Sequence, residues 1–309
     1  MWEGELLERF SDRLAERILA TGSVVCVGLD PDLARMPPAL VHKYRQRAAT
    51  IDDAQAVALC FEEFCRGIID VVSDSAPVVK PQAAFFEQCG ASGWSALRAV
   101  VAHAQRRGLL VIVDAKRGDI ASTATAYARA LFGGAPGFTG DLAGLGADAV
   151  TLSPYLGADS LTPFVEYCER GKGVFVLART SNPGAADLQE RESEERPLFA
   201  HVAAMIGRLG ELHVGRYGFS DVGAVVGATA PDALRALRRE LPRSFFLVPG
   251  YGAQGGDAAA LAGLGDERGL GFIVNASRSI IYAWQDTGAE YQLAAAEAVA
   301  VMKAELAGV

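Results

Sequence analysis

Eight short apolar runs, each followed by a segment with helical spacing, constrain the fold of this chain more than any other feature. The runs occupy residues 23–30, 76–80, 109–113, 147–153, 173–178, 222–228, 245–250 and 271–275. Buried parallel strands have this continuously apolar character because both faces of their sheet are covered. A regular alternation of strand and helix favours a (β/α)8 barrel over a doubly wound sheet. We therefore predict an α/β fold, a TIM barrel formed as one domain by residues 1–309.

Some segments lie outside the barrel pattern. Residues 1–22 carry apolar side chains at helical spacing and predict an N-terminal helix that ends at Gly22. The stretches 31–53 and 185–197 are polar and irregular, so we predict two insertions, the first a loop or short helix and the second a surface excursion. After the seventh run the sequence predicts an Ala/Leu helix, and a last helix over roughly 288–306.

Charged residues crowd the end of the third run. The sequence Val-Ile-Val-Asp114-Ala-Lys116-Arg-Gly-Asp119 leads directly into a helical segment. Because side chains alternate along a strand, Asp114 and Lys116 share one face at its C-terminal end. Neighbouring Asp and Lys residues most often form a structural ion pair at a loop. However, the C-terminal ends of barrel strands are also where these folds carry their chemistry, so this stretch is our candidate catalytic site.

Two other strand ends carry charge. Asp30 ends the first run and is followed by a proline, a sequence that also starts ordinary turns. Lys80 ends the second run, and the proline after it keeps the chain extended. A surface lysine with its stem on apolar neighbours would look the same. Both side chains would reach the same end of the barrel as Asp114.

A glycine-rich segment and an arginine predict an anion site near the last two strands. The segment 249–256 follows the seventh run, and Arg278 follows the eighth by three residues. Glycines let backbone N–H groups approach an anion, and a helix N-terminus adds a favourable dipole. Arg278 can supply a bidentate fork. Barrels commonly bind phosphate between these two loops.

These motifs together resemble those of the orotidine 5′-phosphate decarboxylase family, and more narrowly its longer, type 2 subfamily. The stretch from Asp114 to Thr123 is similar to the family signature Asp-x-Lys-x-x-Asp-Ile-x-x-Thr, with Ala121 where the family has Gly. The sequence Lys80-Pro-Gln-x-x-Phe-Phe-Glu and the Thr-Ser-Asn-Pro-Gly that begins at residue 180 resemble further family blocks. The blocks occur in the expected order along the whole chain.

The resemblance implies that the chain converts orotidine 5′-monophosphate (OMP) to UMP and CO2, the last step of de novo UMP synthesis. It implies neither a cofactor nor a metal. It assigns the proton donor to Lys116, within a catalytic charge array that comprises Lys80, Asp114, Lys116 and Asp119. The implied substrate-binding residues are Asp30, Ile120, Thr123, Ser181 and Asn182, and the implied phosphate-binding residues are Gln254, Gly255 and Arg278.

The resemblance also implies a homodimer, in which Asp119 and Thr123 reach into the partner's site. Other partners are not expected, because the net charge of −8 and the sequence pI of about 5.1 do not favour nucleic acid or an anionic membrane. No apolar run approaches the roughly 18 residues that span a bilayer, and the N-terminus lacks the apolar core of a signal peptide. We expect a cytoplasmic enzyme.

Cysteine and histidine spacing points away from a structural metal site. The five cysteines form no Cys-x-x-Cys pair, so we expect buried, reduced thiols. The four histidines lack metal-ligand spacing.

Three other functions remain open at this stage. A sugar-phosphate decarboxylase or aldolase of the same superfamily would use a divalent metal and would need an acidic ligand where this chain has Lys80. A Schiff-base aldolase would use Lys80 or Lys116. A non-catalytic nucleotide-binding barrel would need the glycine-rich segment and Arg278, but neither both lysines nor the three aspartates at 30, 114 and 119.

Overall fold

The computed structural model describes residues 8–251 and 258–309. Its centre is a closed barrel in which each of eight strands pairs in parallel with its two neighbours in sequence, and the first pairs with the last. The strands are β1 Val25–Leu29, β2 Val78–Pro81, β3 Leu110–Arg117, β4 Ala149–Leu152, β5 Gly173–Arg179, β6 Ser220–Val226, β7 Ser244–Pro249 and β8 Phe272–Ala276. The predicted (β/α)8 barrel is confirmed.

Helices alternate with the strands and cover the outside of the barrel. They are α1 Phe10–Thr21, α2 Pro38–Arg47, α3 Asp53–Val72, α4 Ala83–Glu87, α5 Gly90–Arg106, α6 Ala121–Phe132, α7 Ala158–Val165, α8 Leu198–Gly210, α9 Pro231–Glu240, α10 Arg278–Ile281, α11 Trp284–Thr287 and α12 Tyr291–Leu306. Each long barrel helix turns an apolar stripe towards the strands, and strand side chains are buried on both faces. None of the helices in the described ranges is long and apolar enough to span a bilayer.

The N-terminal end of the barrel is closed by α1. The ring of Phe10 lies edge-on against Phe175 of β5, with 6.0 Å between the ring centroids. Arg9 forms an ion pair with the buried Asp221 of β6 at 3.0 Å, and Arg13 forms one with Asp148 at 2.9 Å. With that end covered, the opposite end of the barrel, where the strands terminate, is left to hold a site.

The predicted insertions contain short regular elements. Residues 31–53 hold a 3-10 turn at Leu33–Arg35 and the helix α2. The 185–197 excursion includes an antiparallel pair, Glu192–Ser193 with Arg196–Pro197. The cysteines are all buried and reduced, as expected.

Two helical predictions differ from the structure. The Ala/Leu segment after β7 forms only a 3-10 turn at Ala258–Leu261 within its described part. Gly263 follows it with a φ of 77°, a left-handed conformation that ends helical winding. The last predicted helix, over 288–306, begins later, at Tyr291, and the short helices α10 and α11 precede it.

Candidate active site

One buried carboxylate, that of Asp114 in β3, binds two lysines at the C-terminal end of the barrel. Lys80 Nζ lies 2.7 Å from Asp114 Oδ2, and Lys116 Nζ lies 2.6 Å from Asp114 Oδ1. Gln82 Nε2 donates to Oδ2 at 3.1 Å, and Thr151 Oγ1 donates to Oδ1 at 2.8 Å. Each carboxylate oxygen thus accepts two hydrogen bonds, one of them from an ammonium group, and this holds both ammonium groups in place.

Lys116 reaches the cluster through an unusual backbone conformation. Its φ of 47° is in the left-handed region, which costs a non-glycine residue about 1–3 kcal/mol and is found mostly where the surrounding structure enforces it. Here the backbone N–H of Lys116 donates to Thr151 Oγ1 at 3.0 Å. The same hydroxyl therefore anchors both the backbone of Lys116 and the carboxylate that its side chain binds.

Charge pairing outweighs burial in this cluster. Lys80 is only 4% exposed. Burial alone would lower the pKa of Lys80, but the negative charges of Asp114 and Asp30 raise it above its ordinary value. Burial alone would also raise the pKa of Asp114, but the charges of Lys80 and Lys116 hold it well below the usual range. Lys80 and Asp114 are accordingly ionised at neutral pH despite the low-polarity surroundings.

The cluster opens into a cavity of about 430 Å³. Asp30 directly follows β1 and lies in the cavity wall, and Asp30 Oδ1 is buried without a hydrogen-bond partner among the described residues. Ser181 and Asn182, which follow β5, line the same cavity. The structure therefore brings together the predicted residues Asp30, Lys80, Asp114, Lys116, Ser181 and Asn182.

A second cavity, of about 370 Å³, adjoins the first and shares Asp30, Pro249 and Asn275 with it. Arg278 lines this second cavity, at the start of α10, and its side chain is exposed. Arg35 also lines it, and two contacts fix its guanidinium. One is a 2.8 Å hydrogen bond to Gln285 Oε1. The other is a cation–π contact in which Arg35 Cζ lies 4.1 Å from the centroid of the Tyr282 ring. Both arginines therefore add positive charge next to the lysine cluster.

Three predicted site residues lie outside the walls of these cavities, and two more are not among the described residues. Asp119, Ile120 and Thr123 lie at the start of α6, and the structure does not place them in the wall of either cavity of their own chain. Asp119 Oδ1 accepts from the backbone N–H of Ile120 at 2.8 Å, and Ile120 is 54% exposed. The remaining two, Gln254 and Gly255, lie outside the described residues.

Three residues of the site were missed from the sequence. Gln82 stands inside the Lys80-Pro-Gln block, in which only the lysine carries a charge that points to a site. Thr151 is the polar residue in the otherwise apolar β4, and that exception was a usable signal. Arg35 gives no such signal, because it lies in a polar, irregular insertion without a recognisable motif. Within 8–251 and 258–309, no three His, Cys, Asp or Glu side chains cluster as metal ligands do.

Comparison with known proteins places this chain among enzymes. Residues 23–293 match the model of the "Orotidine 5'-phosphate decarboxylase / HUMPS family". The chain is 46% identical over 275 residues to orotidine 5'-phosphate decarboxylase of Rhodopirellula baltica, covering 89% of this chain and 88% of that protein. It is 43% identical over 301 residues to the Halobacterium salinarum protein of the same name, covering 96% and 98%.

A solved structure agrees with these sequence matches. Leishmania donovani OMP decarboxylase superposes with a TM-score of 0.68 at 36% identity, covering 96% of this chain and 98% of that one. The family model covers far more than half of the chain, and the relatives exceed 40% identity over nearly all of it. This chain therefore belongs to the orotidine 5′-phosphate decarboxylase / HUMPS family.

Proposed function

We propose that this protein is a cytoplasmic, type 2 orotidine 5′-phosphate decarboxylase that converts OMP to UMP and CO2 in UMP biosynthesis. The observation that carries the proposal is the Lys80–Asp114–Lys116 cluster, in which the buried Lys80 and Asp114 hold the exposed Lys116 at a cavity of about 430 Å³. The family match and the curated relatives named above support the same reaction.

The two adjoining cavities suggest how the substrate lies. The phosphate enters the second cavity, where Arg278 can form a bidentate pair with it and Arg35 adds charge. Gln254 and Gly255 of the preceding loop complete the phosphate contacts in this proposal. The pyrimidine enters the first cavity beside Ser181 and Asn182, and the shared wall at Asp30 meets the ribose hydroxyls.

Lys116 carries the chemistry. The bond between C6 and its carboxylate breaks, the electron pair stays on C6, and CO2 leaves. Lys116 Nζ stabilises that pair and transfers its proton to C6, and the neutral amine then takes a proton from solvent. Asp114 keeps Lys116 in place at 2.6 Å and lies where the departing carboxylate would be repelled. Lys80 balances Asp114 on the opposite side at 2.7 Å.

The size of the barrier requires more than one lysine. Enzymes lower barriers by about 8–23 kcal/mol, and decarboxylation without an electron sink needs the upper part of that range. Fixed charges in a cavity that excludes water act strongly on a developing anion because they need no reorganisation. Phosphate binding, remote from C6, supplies binding energy that can be used to close the site.

The half-buried position of Asp119 and the exposed positions of Ile120 and Thr123 support the homodimer. Asp119 lies next to the exposed Ile120, and neither lines the first cavity of its own chain. Such a pair can pack against a partner subunit. In a two-fold dimer each chain would contribute Asp119 and Thr123 to the other's site.

The nearest alternative is a metal-dependent sugar-phosphate enzyme. Against it stands the position next to Asp114, which such an enzyme needs as a carboxylate and which is Lys80 here. Adding OMP to purified protein in the presence of EDTA separates the two. We expect the pyrimidine absorbance to change as UMP forms, at an unchanged rate when the chelator is omitted. Activity that disappears with EDTA would favour the alternative.

A further inference from the structure

Gln189 belongs to the 185–197 excursion, which the proposed mechanism leaves without a role. Its side chain nevertheless lines the first cavity, beside the end of β5. Arg179, the last residue of β5, holds the neighbouring Glu190 through Nε at 3.0 Å and Nη2 at 2.7 Å. The excursion is thus attached to the strand end that carries Ser181 and Asn182.

A backbone donor fixes the orientation of the Gln189 amide. The backbone N–H of Thr180 lies 2.8 Å from Gln189 Oε1, and a backbone N–H can only donate. Gln189 Nε2 is therefore the group that lies 2.8 Å from Thr180 Oγ1 and donates to it. The Thr180 hydroxyl, having accepted from Gln189, keeps its own proton to donate elsewhere.

That proton goes to Asn182 rather than to Gln189 Oε1, because Oε1 lies farther from the hydroxyl oxygen, at 3.2 Å. Thr180 Oγ1 lies 2.6 Å from Asn182 Oδ1, a separation typical of O–H···O rather than N–H···O hydrogen bonds. Asn182 therefore turns its oxygen towards Thr180 and its amino group the other way. Because Asn182 lines the cavity, the amino group is available to donate to a bound ligand.

We propose that Gln189 is a positioning residue that makes Asn182 a hydrogen-bond donor to the pyrimidine O4. O4 is the carbonyl that distinguishes uracil from cytosine, which has an amino group at that position. The relay from Gln189 through Thr180 to Asn182 thereby gives the site a preference for uridine over cytidine nucleotides. This inference rests on the proposed function, because it takes the first cavity to be the pyrimidine site.

The substitution Gln189→Glu tests the direction of the relay. One oxygen of the new carboxylate still accepts from the Thr180 N–H, so the loop stays attached. The other oxygen now accepts from the Thr180 hydroxyl, which leaves that hydroxyl oxygen to accept from Asn182. The Asn182 amide then rotates and presents its oxygen to the ligand. A ligand with a donor at this position is favoured in place of one with an acceptor.

Calorimetric binding of UMP, CMP and ribose 5-phosphate measures the effect. We expect Gln189→Glu to raise the Kd of UMP about tenfold, the effect of losing roughly one hydrogen bond. CMP binding should be unchanged or tighter, so that the UMP-to-CMP affinity ratio falls, and ribose 5-phosphate binding should be unchanged. Thr180→Val, which removes the hydroxyl, should also lower the ratio, whereas Thr180→Ser should preserve it.

Ala186→Glu is the control for charge. Ala186 is exposed in the same excursion, and its substitution adds the same negative charge without touching the relay. An unchanged UMP-to-CMP ratio in Gln189→Glu, or an equal loss of UMP and ribose 5-phosphate, would overturn the inference. These are binding measurements, so they are independent of turnover. A wild-type protein that fails to consume OMP would contradict the proposed function and leave the relay test intact.

Discussion

The two ends of the barrel each bury an aspartate against a cation, yet the pKa values of the two carboxyl groups are shifted in opposite directions. At the C-terminal end, two lysines hold the pKa of Asp114 well below its usual range. At the N-terminal end, burial raises the pKa of Asp221, although the N–H of Ser11 and the side chain of Arg9 bind it. The same residue type in the same barrel is therefore in two different electrostatic states.

The difference comes from what surrounds each carboxylate. Asp221 lies beneath α1 and is fully buried, with one arginine whose side chain is 28% exposed. Asp114 has two ammonium groups within 2.7 Å and a cavity beside it. A single partly solvated cation is sufficient to join a helix to a barrel. Two cations on one anion hold the ammonium group of Lys116 at the cavity, where it can act on a developing carbanion.

The largest expected effect is at Lys116. Lys116→Ala should lower kcat for OMP at least about a thousandfold, because it removes both the proposed proton donor and a charge. Lys43→Ala is a matched control, since Lys43 pairs with Glu63 on the outer surface. Spectrophotometric assays of both variants, with circular dichroism to verify folding, provide the measurement. Near-normal turnover in a folded Lys116→Ala protein would remove this residue from the mechanism.

Substituting the two aspartates should lower the free energy of unfolding by different amounts. Asp114→Asn leaves Lys80, which is 4% exposed, without its buried counter-charge and close to a second lysine. Removing one partner of a buried pair costs about 3–5 kcal/mol. Asp221→Asn should cost about 1–2 kcal/mol, since Asn can still accept from Ser11 and Arg9 can reach solvent.

Urea unfolding at neutral pH and one protein concentration would rank the two variants. The comparison between the two ends fails if Asp221→Asn costs as much free energy of unfolding as Asp114→Asn.

The sequence predicts the contacts at the C-terminal end of the barrel far better than those at its N-terminal end. Asp114 and Lys116 are two residues apart on one strand, and Lys80 ends the neighbouring strand, so alternation and topology alone bring them together. That geometric expectation is confirmed by their distances. The pairing of Arg9 with Asp221 joins residues 212 positions apart, and no local pattern indicates which strand end a terminal helix will cover.

Side-chain details of the site were equally hidden. Alternation placed Lys116 on the correct face, but nothing in the sequence indicated its left-handed backbone or the Thr151 hydroxyl that supports it. The relay through Thr180, Gln189 and Asn182 depends on a turn that brings residues nine positions apart into contact. Polar residues in irregular segments have no periodicity from which such a contact could be predicted.

The smallest expected effect is a difference in how the contributions of Asp221 and Asp114 to the free energy of unfolding depend on pH. The raised pKa of Asp221 means that the folded protein holds a proton that the unfolded chain releases near its ordinary pKa of about 3.9. Its contribution to stability is complete below that pH and is lost as the pH rises through the folded-state pKa. Asp114 behaves oppositely: its contribution is present above about pH 4 and is lost as the pH falls towards its lowered pKa.

Urea unfolding between roughly pH 2 and pH 7 would reveal these opposite signs, because Asp114 contributes its slope below about pH 4 and Asp221 above it. The free energy of unfolding of wild type minus that of Asp221→Asn should fall as the pH rises. The same difference for Asp114→Asn should rise as the pH increases from about 2 to about 4 and stay level above that. Each slope is limited to about 1.4 kcal/mol per pH unit, the value for one proton. Slopes of the same sign would mean that the two carboxylates respond to burial alike, and that the lysines do not give the active end its distinct electrostatics.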